Sequence, residues 1–194
     1  MDYPLSLSFK LIAVSPQLSV TDATGRTVFY VRQKAFKLKE SVTVYADREQ
    51  TRPVAQMSAD RILDISATYR LQAPNGDEFG TVRRRGLKSF WKAHYDVLRQ
   101  DTELMSLKEN NAFVKLMDGI LSQIPVLGLL SGYVFQPSYD LARADGTTVM
   151  RVKKRPAFLE GRFSIEKLGE LPPEDEALAI LSILMMVLLE RTRG

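Results

Sequence analysis

Thirteen consecutive residues near the end of the chain, Ala177 to Leu189, carry no charge, and Ser182 is the one polar side chain among them. Pro172 and Pro173 stand before the run, followed by Glu174, Asp175 and Glu176. Proline in a first turn and acids over the positive end of the helix dipole are helix start signals. Glu190, Arg191 and Arg193 close the run, the arginines lying near the negative end. A helix over 174–190 is therefore expected, and its apolar side chains cover every face rather than one stripe, so something must surround it. At 1.5 Å per residue the run reaches roughly 20 Å, short of a hydrocarbon layer of about 30 Å, which favours a buried core helix over a membrane anchor. Ten large aliphatic side chains go in with it. At about 1.5–3 kcal/mol each, their gross burial exceeds the net stability of a typical domain. The rest of the chain is expected to be a wrapper for this helix.

The wrapper reads as strands. Leu5-Ser-Leu-Ser-Phe-Lys-Leu11 alternates apolar and polar residues, the period of a half-buried strand. A pattern then recurs: Leu18 to Lys34 reads as strand, turn at Gly25, strand and basic end. Tyr69 to Arg85 repeats it with Asn75-Gly76 at the turn, and Tyr139 to Arg155 repeats it with Asp145-Gly146. Asn-Gly and Asp-Gly are strong hairpin signals because glycine and its neighbour accept positive φ. Aligning the three glycines superposes Val20, Leu71 and Leu141 without gaps, and likewise Val31, Val82 and Val152. It also stacks Arg32-Gln-Lys34 on Arg83-Arg84-Arg85 and on Lys153-Lys154-Arg155. After each basic triplet a short link leads to another alternating run: Ser41–Tyr45, His94–Leu98 and Arg162–Glu166. Pro53–Met57, Ile62–Ile65 and Glu103–Leu107 supply further short strands. The expected fold is mostly β with a central helix: a closed antiparallel barrel of about twelve strands enclosing the C-terminal helix, which removes exposed sheet edges.

With 194 residues the chain is read as one domain, 1–194. One region breaks the β rhythm. Phe113, Leu116, Met117, Ile120, Leu121 and Ile124 fall at helical spacing, Pro125 ends that helix, and the uncharged Val126–Leu130 follows. This excursion at 112–134 is either a helix and strand packed on the barrel or a lid, dimer contact or membrane-touching loop.

The segment Phe29-Tyr-Val-Arg-Gln-Lys-Ala-Phe-Lys-Leu-Lys-Glu40, the Tyr69–Arg85 hairpin unit and the C-terminal apolar helix together resemble the LURP-one-related proteins. Those proteins are similar in fold to the C-terminal domain of tubby and to phospholipid scramblases, closed barrels threaded by a hydrophobic helix. Tubby-like domains bind phosphoinositide headgroups and scramblases act at membranes, but LURP-one-related proteins have no established common activity, so the resemblance implies the fold and little chemistry. No motif here matches a phosphoinositide site residue by residue, so candidate contacts are read from charge.

The net charge of +4 permits an anionic partner and is weak for a nucleic-acid module. Cysteine is absent and His94 is the one histidine, so neither a thiol nucleophile nor a histidine-based metal site is expected. There is no Walker-type loop, GxSxG or HExxH, and no catalytic residue, cofactor or metal is expected. The start Met1-Asp-Tyr-Pro4 lacks the basic opening of a secretory signal, so a cytoplasmic placement, peripheral at the membrane, is expected.

The candidate anionic-headgroup contacts are Arg83, Arg84, Arg85, Lys88, Lys92, Lys153, Lys154 and Arg155; the candidate membrane contacts are Trp91, Leu127, Leu129 and Leu130. Each basic run alone is ordinarily a solvated strand end. A strand alternates its faces, so Arg84 cannot share the face of Arg83 and Arg85 without a bulge or a strand end. Aromatic residues between cations, as in Lys88–Lys92, suit a lipid interface, although Phe90 or Trp91 could equally tuck into the barrel. The acids Glu174–Glu176 are read as helix capping. The expectation is a non-enzymatic binding or scaffold module whose best-motivated partner is an anionic phospholipid membrane. The alternatives are a protein–protein interaction domain, a small apolar-ligand carrier or a membrane-anchored scramblase-like protein, and no motif specifies an oligomeric state.

Overall fold

In the computed structural model, which describes residues 1–10, 17–32, 41–59, 68–85, 94–110, 138–157 and 160–191, the alternating runs form twelve antiparallel strands. They are β1 (Leu5–Lys10), β2 (Gln17–Thr21), β3 (Thr27–Arg32), β4 (Val42–Tyr45), β5 (Pro53–Ala59) and β6 (Thr68–Gln72). The second half is β7 (Glu78–Arg84), β8 (His94–Arg99), β9 (Thr102–Glu109), β10 (Ser138–Arg143), β11 (Thr148–Arg155) and β12 (Glu160–Lys167), followed by helix α1 (Pro173–Arg191). Every strand pairs with its neighbours in sequence, and β1 closes the barrel against β12 with Leu5 opposite Ile165. Closure leaves no strand edge to pair with another chain. The expected strand at Ile62–Ile65 and the expected excursion at 112–134 lie outside the described residues.

Period-two alternation decides which side chains face in. Along β1, Leu5, Leu7 and Phe9 are buried while Ser6 and Lys10 are exposed. The aligned triplets Val20, Leu71, Leu141 and Val31, Val82, Val152 are all fully buried in one core with α1. That is why the repeat preserves them: they line the helix. Leu178 to Leu189 are buried on every face, at 4% exposure or less, and the hydroxyl of Ser182 donates to the Leu178 carbonyl one turn back. Among the described residues no helix is long and apolar enough to cross a membrane.

The glycine turns are alike in detail and differ from the expected form. In each, the glycine N–H donates to the carbonyl three residues back: Gly25 to Asp22, Gly76 to Ala73 and Gly146 to Arg143, each at 2.9 Å. Only the glycine takes positive φ (84°, 92° and 87°), so its neighbour does not need the left-handed region. The turn with two successive positive φ values is Gln100–Asp101, which carries no glycine and which sequence reasoning passed over. A register shift just inside each of the five hairpins leaves Val28, Val54, Phe79, Leu104 or Val149 as the extra residue. Such bulges sharpen strand twist, and five of them at one end help curl the sheet shut. All five extra residues are apolar and pack against the core.

Helix α1 starts at this same end. The acids read as dipole caps do more than cap. Asp175 lies 2.7 Å from Arg99 at the end of β8. Glu176 accepts from the Tyr3 hydroxyl and from Lys167, both at 2.9 Å, and Lys167 also reaches Glu170 at 3.3 Å. Burial, followed by the Glu176 contact, pushes the Tyr3 hydroxyl well above the usual phenol range. Arg143 donates to the Glu170 carbonyl. The helix entrance is therefore latched to β1, β8, β10 and β12, a tertiary role invisible in the acidic run itself.

Candidate functional site: the basic rim

An up-and-down barrel sends every odd-numbered strand the same way, so β3, β7 and β11 end at one rim. Arg32 at the end of β3, Arg83–Arg85 at the end of β7 and Lys153–Arg155 at the end of β11 therefore share that rim. In a ring of twelve, every fourth strand stands about a third of the circumference from the next. These cations form three separated points rather than one patch. Lys10 at the end of β1 and Lys108 near the end of β9 stand at the same rim.

The β7 point is held by a carboxylate. Arg83 and Arg85 face outward and Asp96 of β8 lies directly opposite Arg83. The Arg85 Nε donates to both oxygens of Asp96, at 2.7 and 2.8 Å, and Nη2 reaches Glu103 at 2.9 Å. Arg83 approaches Asp96 at 3.5 Å. Asp96 is only 1% exposed although it lies on the outer face of the barrel. The hydrogen bond that Asp96 accepts, then its charge, raises the Arg85 guanidinium above its ordinary value. His94 begins β8 half-buried, its Nε2 at 3.4 Å from Asp96 in a contact without hydrogen-bond geometry. Burial first, then the charges of Lys108 and Arg85, lowers its pKa below the ordinary imidazole value.

Arg84 turns the other way, as alternation requires. It is half-buried, with its guanidinium carbon 6.0 Å from the centroid of the buried Tyr95 ring. Burial raises the Tyr69 hydroxyl and the Arg84 charge opposes that rise, which places the two groups within electrostatic reach.

The β11 point is built differently. Lys153 donates to both Glu166 oxygens, at 3.0 and 2.9 Å, whereas Arg155 stands 3.9 Å from the same carboxylate. Lys154 is exposed and opposite Phe163, and Arg155 is opposite Arg162. At the β3 point Arg32 is exposed, and Gln33 and Lys34 lie outside the described residues. So do Lys88, Trp91, Lys92, Leu127, Leu129 and Leu130.

The other rim has the opposite character. Asp22, Asp47, Asp77, Asp101 and Asp145 sit in its five hairpin turns, and Glu174, Asp175 and Glu176 at the helix start. Several of these acids are turn builders: Asp22 accepts from the Thr24 N–H and hydroxyl and from the Arg26 N–H, and Asp145 accepts from the Thr147 N–H. Among the described residues the strand-end cations therefore lie at one rim and the turn acids at the other, where Arg26, Arg52, Arg99 and Lys167 pair with four of those acids. Sequence reasoning found the cations and missed the residues that hold them, Asp96, Glu103 and Glu166, and missed Arg162. The gapless alignment does not carry that far, since it sets Arg162 on Lys92; only the strand register brings Asp96 and Ser164 to equivalent places across from the two triplets. Among the described residues no cluster of three or more His, Asp or Glu side chains could hold a metal ion.

A family model described as LURP-one-related matches residues 27–185, from β3 into α1. No curated protein and no solved structure matches the chain.

Proposed function

The chain belongs to the LURP-one-related family, and on that premise we propose that it is a non-enzymatic binding module whose basic rim docks on anionic phospholipid surfaces. The observation that carries the reading is the polarity of the barrel. Cationic strand ends gather at one rim, the acidic turns and the acidic helix start at the other. A dipolar particle of this kind is steered so that its basic rim meets a negative surface. Each cation near an anionic leaflet contributes about 1 kcal/mol, and the contribution fades within a Debye length. The interior supports a binding rather than a carrier role, because α1 and the inward side chains form one packed core. This reading places the protein peripherally on the cytoplasmic side of a membrane.

Sedimentation with vesicles tests it. Binding to vesicles containing phosphatidylserine or a phosphoinositide is expected, with little to pure phosphatidylcholine, and a steep loss as salt rises. Equal binding to charged and uncharged vesicles, or binding indifferent to salt, would remove the electrostatic reading and leave a protein–protein scaffold as the alternative.

A further inference from the structure

The one histidine of the chain stands inside the ion-pair cluster of the β7 point without a settled role in it. The His94 carbonyl accepts from the Arg85 N–H at 3.0 Å, and on the other side Lys108 of β9 lies directly opposite. Asp96 is two residues along β8 on the same outer face, opposite Ser106. The charged groups around the ring are therefore Arg83 and Arg85 from β7, Asp96 from β8, and Glu103 and Lys108 from β9. Asp140 of β10, opposite Lys108, is already engaged by Arg151 and Asn110.

The His94 Nε2 is buried without a hydrogen-bond partner and lies 3.4 Å from Asp96, while the side chain as a whole is 22% exposed. A buried polar atom without a partner calls for an explanation, and protonation supplies one. A carboxylate can only accept, whereas a charged imidazole donates from both nitrogens. A proton on His94 thus turns an idle contact into a charge-assisted hydrogen bond to Asp96. The ring then competes with Arg83, which is held by the same carboxylate only at 3.5 Å and is 49% exposed. Before protonation the outward cations Arg83, Arg85 and Lys108 exceed Asp96 and Glu103 by one charge, and the proton doubles that excess.

We propose that His94 is a proton-operated switch of the basic rim, whose protonation releases Arg83 from Asp96 and strengthens the hold on an anionic membrane. The inference rests on the membrane-docking reading and adds its regulation by pH. Burial and the charges of Lys108 and Arg85 oppose the proton in the free chain. A negative surface against the rim offsets those charges, so docking and protonation favour each other reciprocally.

The test sediments the full chain with phosphatidylcholine vesicles containing phosphatidylglycerol, whose phosphodiester keeps its charge between pH 7.5 and pH 5.5. The native chain should bind about fivefold more tightly at the lower pH, the effect of one added cation. His94→Gln, with an unchanged melting curve, should bind as the native chain does at pH 7.5 and change by less than about twofold at pH 5.5. His94→Lys, charged throughout, should bind at pH 7.5 as the native chain does at pH 5.5. In a second arm, without lipid, the His94 ring and Arg83 Nε resonances are followed against pH and should move with one midpoint below 6.5. If vesicles bind but His94→Gln keeps the native pH response, or the native chain shows none, the switch is refuted and the docking reading stands. An Arg83 resonance that ignores the His94 titration likewise refutes the switch. If ring and Arg83 titrate together but no anionic vesicle binds at either pH, the docking reading falls and the proton-driven exchange at Asp96 stands.

Discussion

Replacing Arg85 by alanine should destabilise the fold by about 2–3 kcal/mol, far more than an exposed arginine ordinarily would. The estimate starts from its partner. Asp96 is 1% exposed and takes two of its shortest contacts, 2.7 and 2.8 Å, from the Arg85 Nε. Stranding a buried charge by removing its partner costs about 3–5 kcal/mol. Two facts reduce that here: Arg83 at 3.5 Å remains beside the carboxylate, and the Arg85 side chain is 52% exposed, so water already screens part of the pair. Removing the carboxylate instead, with Asp96→Asn, leaves half-exposed guanidiniums that water can solvate, at about 1 kcal/mol or less. The double variant Arg85→Ala with Asp96→Asn should therefore be more stable than Arg85→Ala alone. Urea unfolding of the four proteins, read as midpoints at constant m, measures all three differences. An Arg85→Ala cost below about 0.5 kcal/mol, the range of an ordinary surface substitution, would falsify the reasoning. So would a double variant less stable than either single one.

Leu184→Asp places a charge at a fully buried position of α1 and should cost several kcal/mol, a large part of a domain's stability; soluble, cooperatively unfolding protein would contradict the enclosed helix. Gly80→Ala should cost about 2 kcal/mol or more by thermal melting, because φ is +154° and a Cβ there would press into the Leu98 carbonyl and lie 3.1 Å from the Leu178 side chain. A neutral result would mean that β7 can shift away from the helix. The Thr24 hydroxyl and Arg26 hold the Asp22 carboxyl down at about 2 from an ordinary value of 3.8. Its folded pKa lies below its unfolded pKa, so its contribution is complete above the usual carboxylate range and disappears as pH falls through about 2. The stability gap between the native chain and Asp22→Asn should accordingly close between pH 5 and pH 2, and a gap that stays constant would show that the Asp22 charge is not what the turn uses.

Inward positions were legible and outward ones were not, for a physical reason. The uniform apolarity of Ala177–Leu189 forces enclosure, and period-two alternation forces the inward set, so the barrel, the helix and the repeat follow from the sequence. The hairpin bulges were not legible, because Val28, Val54, Phe79, Leu104 and Val149 read as ordinary alternating strand residues and are displaced only by closure of the ring. The Gln100–Asp101 turn escaped notice because its positive φ values fall on residues without a glycine signature. The acids Glu174–Glu176 satisfied a local rule completely, and that local sufficiency hid the tertiary pairs of Asp175 and Glu176. At the rim, the positions of the cations came from the alignment. Their availability depends on which carboxylate lies across the pair, and that is a property of register.

Equivalent positions of the repeat diverge where they face outward. Val31, Val82 and Val152 cannot diverge freely because each faces the same helix, whereas Thr43, Asp96 and Ser164 face outward and carry three different side chains. This makes the clamp transferable. In Ser164→Asp a carboxylate would stand opposite Lys153, two residues from Arg162 on the same outer face, in the relation that Asp96 has to Arg83 and His94. Arg155 would then have a near partner, as Arg85 does, in place of Glu166 at 3.9 Å. The substitution touches no core residue, so the fold should persist with unchanged or slightly higher stability, as expected for an added surface pair of about 0–1 kcal/mol. Binding to anionic vesicles should nevertheless fall, because the change adds a negative charge at the basic rim. Sedimentation and a melting curve on the same sample separate the two effects. A stable Ser164→Asp protein that binds anionic vesicles as the native chain does would show that the charge at this point of the rim does not control docking.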